Sequence, residues 1–308
     1  MDRKLAITGG AGFIGSNLAE ALAEENQVVV VDDLSSGKVE NLAGIDARFV
    51  RGSILDLDLL KSAFQDVDCV FHQAAIASVQ RSVQDPVWTG RVGTEGTLNV
   101  LVAARDAGVR KVVFASSAAV YGETPELPKK EDMCPDPRSP YAVSKLAGEH
   151  HCIVFRELYG LETVCLRYFN VFGPKQDPSS EYSGVISRFI SVLAKGEQPV
   201  IYGDGEQTRD FVYVKDVVRA NILASRSGSG VFNIAGGRRT NLNQLASLIG
   251  TILGRNVRPE HGDPRAGDIR DSLADISRAK EIGYEPETRL EDGLAGTIGW
   301  FSSHICRK

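Results

Sequence analysis

The chain has 308 residues, 43% hydrophobic and 24% charged, with a formal net charge of −5. That is an ordinary globular mix. It excludes a disordered tail, a collagen-like fibre and a disulfide scaffold, and its acidic balance offers no basic field for nucleic acid or an anionic membrane. Five cysteines (Cys69, Cys134, Cys152, Cys165 and Cys306) form no CxxC pair and are odd in number, which predicts reduced thiols.

Behind Met1-Asp2-Arg3-Lys4 the chain enters Leu5-Ala6-Ile7 without an apolar signal core. No apolar run approaches the roughly 20 residues of a membrane helix, so a cytoplasmic protein is expected. In chain order, β-branched runs at 5–8, 27–31, 48–50, 69–72, 111–115 and 163–166 predict strands. Amphipathic stretches at 14–25, 57–65, 87–107 and 141–159 predict the helices between them. Such alternation predicts βαβ crossovers and a doubly wound parallel sheet covered on both faces. After Asn170 the texture changes: Gly173-Pro174 and the polar stretch 176–183 interrupt it, and shorter elements follow. The run 231–234 still reads as a buried strand returning to the sheet. The expected layout is a large α/β domain over 1–171 and a smaller, partly interleaved α/β domain over 172–308, with a ligand cleft between them.

Directly after the first predicted strand stands Gly9-Gly10-Ala11-Gly12-Phe13-Ile14-Gly15, opening a helical pattern. In that context Gly9 permits a tight turn, Gly12 lets backbone approach a pyrophosphate, and Gly15 lets helix and strand pack closely. The helix start then offers unpaired N–H groups to phosphates. The second strand runs into Asp32-Asp33, and Asp32 stands 17 residues beyond Gly15. A carboxylate there can accept from adenosine ribose hydroxyls and repel a 2′-phosphate; it can also simply cap a turn. No arginine follows Asp32 directly, which favours NAD over NADP.

Ser139-Pro140-Tyr141-Ala142-Val143-Ser144-Lys145 contains Tyr-x-x-x-Lys. Residues four apart share a helix face, so the ammonium is expected to favour the phenolate of Tyr141 and lower its pKa. The motif alone also occurs on ordinary helix surfaces. Upstream, Ser116-Ser117-Ala118-Ala119 follows another strand, where Ser117 faces a ligand crevice or only terminates the strand. No metal site is expected: His150 and His151 are adjacent on a helix, and no HExxH or Cys/His cluster exists.

With these motifs together, and with Leu166-Arg167-Tyr168-Phe169-Asn170-Val171-Phe172-Gly173, the chain resembles the extended short-chain dehydrogenase/reductases over its full length. More narrowly it is similar to the UDP-glucose/UDP-galactose 4-epimerases. The segments Tyr202-Gly203-Asp204-Gly205-Glu206-Gln207-Thr208-Arg209-Asp210-Phe211 and Gly267-Asp268-Ile269-Arg270-Asp271-Ser272 are similar to the branch acting on N-acetylated UDP-hexosamines. The resemblance implies a Rossmann-type fold with a nucleotide-sugar domain and bound NAD. It implies that Tyr141 takes the proton of the sugar 4-OH while C4 gives hydride to NAD, and that the 4-keto sugar turns over before hydride returns. Ser117 would aid the proton transfer, and Lys145 would anchor the nicotinamide ribose and tune Tyr141.

The same resemblance implies cofactor contacts at Gly9, Gly12, Phe13, Ile14, Gly15, Asp32, Asp33, Ser35, Ser36, Ser53, Ile54, Gln73, Ala74 and Ala75. It implies substrate contacts at Ser78 and Val185, at Asn170, Arg209 and Arg265 around the diphosphate, at Tyr202 on uracil, and at Asp268 near the uridine ribose. Ser272 borders the sugar pocket, and a small residue there implies room for an acetamide. The chain departs from the family at Ser53-Ile54, where Asp is frequent before the isoleucine, at Gly93, where Asn is usual, and at Ala77, where no lysine follows Gln73-Ala74-Ala75-Ile76. Dehydration is disfavoured because Ala118-Ala119 stands where 4,6-dehydratases carry Asp-Glu. A UDP-glucuronate 4-epimerase or decarboxylase remains a rival, with Arg81 or Ser78 to meet a carboxylate, as does a non-catalytic NAD-sensing or scaffold protein. The segments 87–107 and 141–159 correspond to the family's four-helix bundle, which implies a homodimer.

Overall fold

In the computed structural model, residues 3–177, 184–264 and 270–304 are described. The first strands in chain order are β1 (Lys4–Thr8), β2 (Gln27–Asp32), β3 (Ala47–Arg51), β4 (Cys69–His72), β5 (Lys111–Ser117) and β6 (Glu162–Tyr168). Outside their sheet lie β7 (Asn170–Phe172), β8 (Val200–Tyr202) and β9 (Thr208–Tyr213); then β10 (Gly230–Ile234) returns to it, and β11 (Arg239–Asn241) and β12 (Glu260–Gly262) again lie outside. The central sheet is wholly parallel, in the order β10-β6-β5-β4-β1-β2-β3, and Ile7 of β1 stands level with Val30 and Phe71. A smaller sheet joins β11, β9 and β7, and β12 pairs with β8.

The crossovers are α1 (Phe13–Ala23), α2 (Leu57–Ala63), α3 (Val79–Gln84), α4 (Pro86–Gly90), α5 (Gly96–Asp106) and α6 (Pro140–Tyr159). Later come α7 (Val185–Ala194), α8 (Val214–Arg226), α9 (Leu242–Leu253) and α10 (Leu290–His304). Period-two alternation divides the strand side chains between two cores. Leu5, Ile7, Val28 and Val30 pack with α1 and α8, while Ala6, Val29 and Val31 pack with α2, α5 and α6. A third core joins α7, α9 and α10 to β7 and β9. Among the described residues no helix is long and apolar enough to cross a membrane.

Two local features position the site. Helix α6 has strong punctuation: the Ser139 hydroxyl accepts from Ala142 N at 3.1 Å, Pro140 opens the first turn, and Gly160 closes it at φ +70°. The helix expected over 87–107 runs without a gap from Pro86 to Asp106, and Arg91–Glu95 winds within it as one π-turn between α4 and α5. Helix α6 crosses close to this turn: a Cβ at Gly93 would lie 2.6 Å from the Ser144 side chain. The wider turn is closed by the Thr97 hydroxyl, which donates to the Gly93 carbonyl at 2.7 Å.

Candidate active site

All seven central strands point the same way, so Thr8, Asp32, His72, Ser117 and Tyr168 end along one edge. The chain leaves β1 towards β2 and crosses back to β4, and the crevice at such a reversal is where open α/β sheets bind ligands. Gly9 turns there at φ +70°, and a Cβ on it would sit 2.6 Å from Ala74 N. At Gly12 a Cβ would meet only the Gly9 carbonyl, at 3.2 Å. Gly12 is also the N-cap of α1 and brings no side chain to its first N–H groups, so Phe13, Ile14 and Gly15 present unpaired donors suited to an anion.

Asp32 accepts from Ala11 N at 2.9 Å and from Leu34 N at 2.8 Å, one bond on each oxygen. Burial raises its pKa, and these two bonds oppose the rise. A carboxylate has about four acceptor positions, so each oxygen keeps capacity for a ribose hydroxyl. Asp33 is exposed and accepts from Ser35 N at 2.9 Å, and Ser35 and Ser36 line the open loop beyond. Ser53 accepts from Leu55 N, and Ile54 is buried against Gly96. Past β4, Ala74 and Ala75 are half-buried. The Gln73 side chain donates to the Tyr168 hydroxyl at 3.1 Å and to Asn221 Oδ1 at 3.0 Å.

Ser117, the last residue of β5, accepts from Ala119 N at 3.2 Å, and its hydroxyl is the group that acts against the burial of the Tyr141 phenol. Lys145, one helical turn beyond Tyr141, donates from Nζ to the Ala115 carbonyl at 2.8 Å, with Nζ 5.8 Å from the centre of the Tyr141 ring. The lowering of the phenol expected from this cation does not prevail. Burial raises Tyr141 above its ordinary value, and the Ser117 hydroxyl is what opposes the rise. Burial also pulls Lys145 down to about 8. The set comprises a phenol, a hydroxyl and an ammonium on a strand end and a helix start, an arrangement able to pass a proton to and from a bound hydroxyl.

Further residues that sequence reasoning did not assign support this set. His72 lies between Thr8 and Thr97, with Nδ1 2.7 Å from the Thr8 hydroxyl and Nε2 3.0 Å from that of Thr97. Because Thr97 spends its proton on the Gly93 carbonyl, Nε2 must donate and Nδ1 must accept from Thr8. Burial, aided by the Lys145 charge, lowers His72 to about 3, so it is neutral. Glu149 follows Tyr141 and Lys145 at the same four-residue spacing and takes the Ser116 hydroxyl and the Arg167 guanidinium. That spacing was the available signal, since it places Glu149 on the face of α6 that meets the sheet.

Beyond β6, Asn170 Nδ2 donates to the Asp210 carbonyl at 3.2 Å, and Arg209 Nη1 donates to the Thr208 carbonyl at 2.8 Å. Ser272 N donates to the Thr208 carbonyl at 3.2 Å. Asn170, Arg209 and Ser272 therefore gather around β9. Tyr202 ends β8, and Val185 opens α7. Ser78 caps α3, accepting from Arg81 N at 3.1 Å. Arg265, Asp268 and Cys306 lie outside the described residues. Asp210, not singled out from the sequence, has a fully buried carboxylate pushed up to about 7 by burial, against donation from surrounding backbone N–H groups.

Comparison with known proteins adds the following. The model of the NAD dependent epimerase/dehydratase family matches residues 5–235. A UDP-N-acetylglucosamine 4-epimerase from Methanobrevibacter ruminantium M1, solved with UDP-N-acetylmuramic acid, superposes with a TM-score of 0.96 at 44% identity, covering 99% of both chains. A UDP-glucose 4-epimerase of Mycolicibacterium smegmatis is 43% identical over 96% of this chain and 97% of that one. A UDP-glucuronate 4-epimerase of Thermodesulfobacterium geofontis is 33% identical over 97% of this chain and 96% of its own length.

Proposed function

The chain belongs to the NAD dependent epimerase/dehydratase family, and on that premise we propose that it interconverts UDP-N-acetylglucosamine with UDP-N-acetylgalactosamine, and UDP-glucose with UDP-galactose. It is an NAD-dependent nucleotide-sugar 4-epimerase, hence an isomerase. The observation that carries the substrate chemistry is the Lys145 ammonium, held on the Ala115 carbonyl at 2.8 Å and 5.8 Å from the Tyr141 ring, beside Ser117 at the end of β5. Tyr141 removes the proton from the sugar O4 and later returns one to the same oxygen. Ser117 hydrogen-bonds that oxygen and carries part of its charge. Lys145 would hold the ribose of the bound cofactor, and it supplies positive potential to the phenolate. NAD, when bound, supplies the reversible hydride acceptor for C4.

The residues suit that cofactor, since Gly12 leaves an open cradle before the unpaired N–H groups of α1 and Asp32 keeps free acceptor capacity. Gly9, Gly12, Phe13, Ile14 and Gly15 would hold the pyrophosphate, Asp32, Asp33, Ser35 and Ser36 the adenosine ribose, Ser53 and Ile54 the adenine, and Gln73, Ala74 and Ala75 the nicotinamide half. Asn170, Arg209 and Arg265 would meet the diphosphate, because guanidinium forks suit phosphate oxygens. Tyr202, Asp268 and Val185 would enclose the uridine, and Ser78 and Ser272 would border the sugar. In this reading residues 1–171 hold NAD and residues 172–308 the nucleotide sugar, and the protein works in the cytoplasm.

We also propose a homodimer. Val79, Val83, Val87, Val143, Val154, Leu158 and Tyr159 leave a broad apolar face on α3, α4 and α6, with Val87 73% and Leu158 71% exposed. A face of that kind favours association, and a two-fold pair would cover it.

The test of the substrate assignment is to incubate the protein with UDP-N-acetylglucosamine, UDP-glucose or UDP-glucuronate and follow the sugar by proton NMR. Galacto epimers from the first two are expected. Ser272→Tyr should lose the N-acetylated reaction while keeping the hexose one. Turnover of UDP-glucuronate alone would replace this reading with the uronate one.

A further inference from the structure

Asp210 lies in the middle of β9 and is wholly shielded from water. Among the described residues no cation pairs with its carboxylate. Its oxygens are instead met by backbone N–H groups from two distant segments. Oδ1 accepts from Gly236 N at 2.9 Å and Gly237 N at 3.1 Å, and Oδ2 accepts from Ala274 N at 3.0 Å. Each donor points at an oxygen, so the ionised carboxylate fits this nest, and an amide would turn an NH2 group against N–H donors.

A buried carboxylate costs solvation that an apolar side chain would not, and here it joins three pieces of chain. Gly236 and Gly237 follow β10, the strand that returns to the central sheet. Ala274 stands two residues beyond Ser272, whose N–H donates to Thr208 on β9. The third piece is β9 itself, which carries Arg209 next to Asp210, while Asn170 donates to the Asp210 carbonyl at 3.2 Å.

We propose that Asp210 is a positioning residue for the nucleotide-sugar end of the site, its carboxylate fastening the loop after β10 and the segment around Ala274 to β9 so that Arg209, Asn170 and Ser272 converge on one ligand. The inference rests on the reading of those three as substrate contacts. Its chemistry is mechanical: Asp210 touches no ligand and acts through the segments that it ties. Loss of the tie loosens the diphosphate contacts while the phosphate loop at Gly9–Gly15 keeps its own bonds, Gly9 N to the Val31 carbonyl and Gly12 N to the Gly9 carbonyl.

The test is UDP binding by calorimetry to the NAD-loaded full chain, for wild type, Asp210→Asn, Arg209→Ala and the double variant. Asp210→Asn is expected to weaken UDP by about tenfold or more, the scale at which small misplacements of binding groups act, with NAD content unchanged and KM rising more than kcat falls. The Arg209→Ala penalty should shrink in the Asp210→Asn background, because the arginine is already misplaced there. If Asp210→Asn does not fold, Asp210→Ser gives the same comparison without a crowded NH2 group. A folded variant with wild-type affinity for UDP, or penalties that simply add, would overturn the proposal alone. Wild-type protein that does not bind UDP would overturn the nucleotide-sugar reading, and this proposal with it.

Discussion

Glu149 and Arg167 meet inside the protein as a two-pronged ion pair, Nε to Oε1 at 2.8 Å and Nη2 to Oε2 at 2.7 Å, with side chains only 3% and 4% exposed. Since Glu149 lies on α6 and Arg167 on β6, the pair fastens the helix that carries Tyr141 to the sheet. The Ser116 hydroxyl joins it on the same carboxylate, one residue from Ser117.

Removing one partner strands a buried charge. Glu149→Ala is therefore expected to lower the free energy of unfolding by about 3–5 kcal/mol in urea titrations. The double variant Glu149→Leu/Arg167→Met should lose clearly less than the sum of the two single variants. Additive losses would mean that the two side chains act independently.

Tyr141→Phe removes the proton carrier and leaves the ring. The expected result is a fall in kcat of about 10²–10⁴-fold, the usual worth of a positioned acid–base group, with UDP affinity retained. Ser117→Ala removes the hydroxyl that acts to hold the Tyr141 pKa down. Its rate profile should rise at higher pH than the wild-type profile, because the phenol then ionises later. An unshifted profile would show that Ser117 does not tune the tyrosine.

How far the sequence revealed this site depends on the range of the interactions. The strand runs, the glycine loop ahead of a helix, Asp32 and Tyr141-x-x-x-Lys145 are local patterns with a fixed spatial consequence, and the structure has strands at each of the six predicted runs. The close passage of α6 over Gly93 was not legible, since it depends on Ser144, 51 residues on. The direction of the Tyr141 shift was missed for a similar reason. Helical spacing brings Lys145 near, but it cannot show that the ammonium would be engaged by a strand carbonyl or how much water burial removes. Asp210 sat inside a motif read for its arginine, and its partners are supplied by backbone, which carries no residue signature.

Lys145 is a functional group held at a cost to stability. Burial brings its pKa from the ordinary 10.5 down to about 8, so between those values the unfolded chain keeps a proton that the folded chain has released. Stability should therefore rise as pH climbs from 8 towards 10.5, and the burial penalty is fully present below 8. Lys145→Met is expected to raise the unfolding free energy at pH 7 by about 1–3 kcal/mol, net of the lost bond to Ala115. The gain should shrink above pH 8 and come with loss of activity. A variant less stable than wild type at pH 7 would contradict this account.

His72 gives the opposite pH window. Its pKa is lowered from 6.5 to about 3, so the unfolded chain alone takes up a proton as pH falls through that range, and stability declines there. Nitrogen NMR at pH 5 should find His72 neutral with the proton on Nε2, the tautomer that Thr97 and Gly93 require. A charged ring, or a proton on Nδ1, would be incompatible with the chain of bonds from Thr8 through His72 and Thr97 to Gly93.

The central claim is inversion at C4 by a hydride that leaves the sugar and returns to it within one site. The most direct measurement is epimerisation of UDP-N-acetylglucosamine in D2O by the NAD-loaded protein, with position 4 of the product read by NMR. The account predicts the galacto epimer with protium retained at C4 and none of it in the Tyr141→Phe variant on the same timescale. Deuterium at C4, or no epimer from either UDP-N-acetylglucosamine or UDP-glucose, would contradict it.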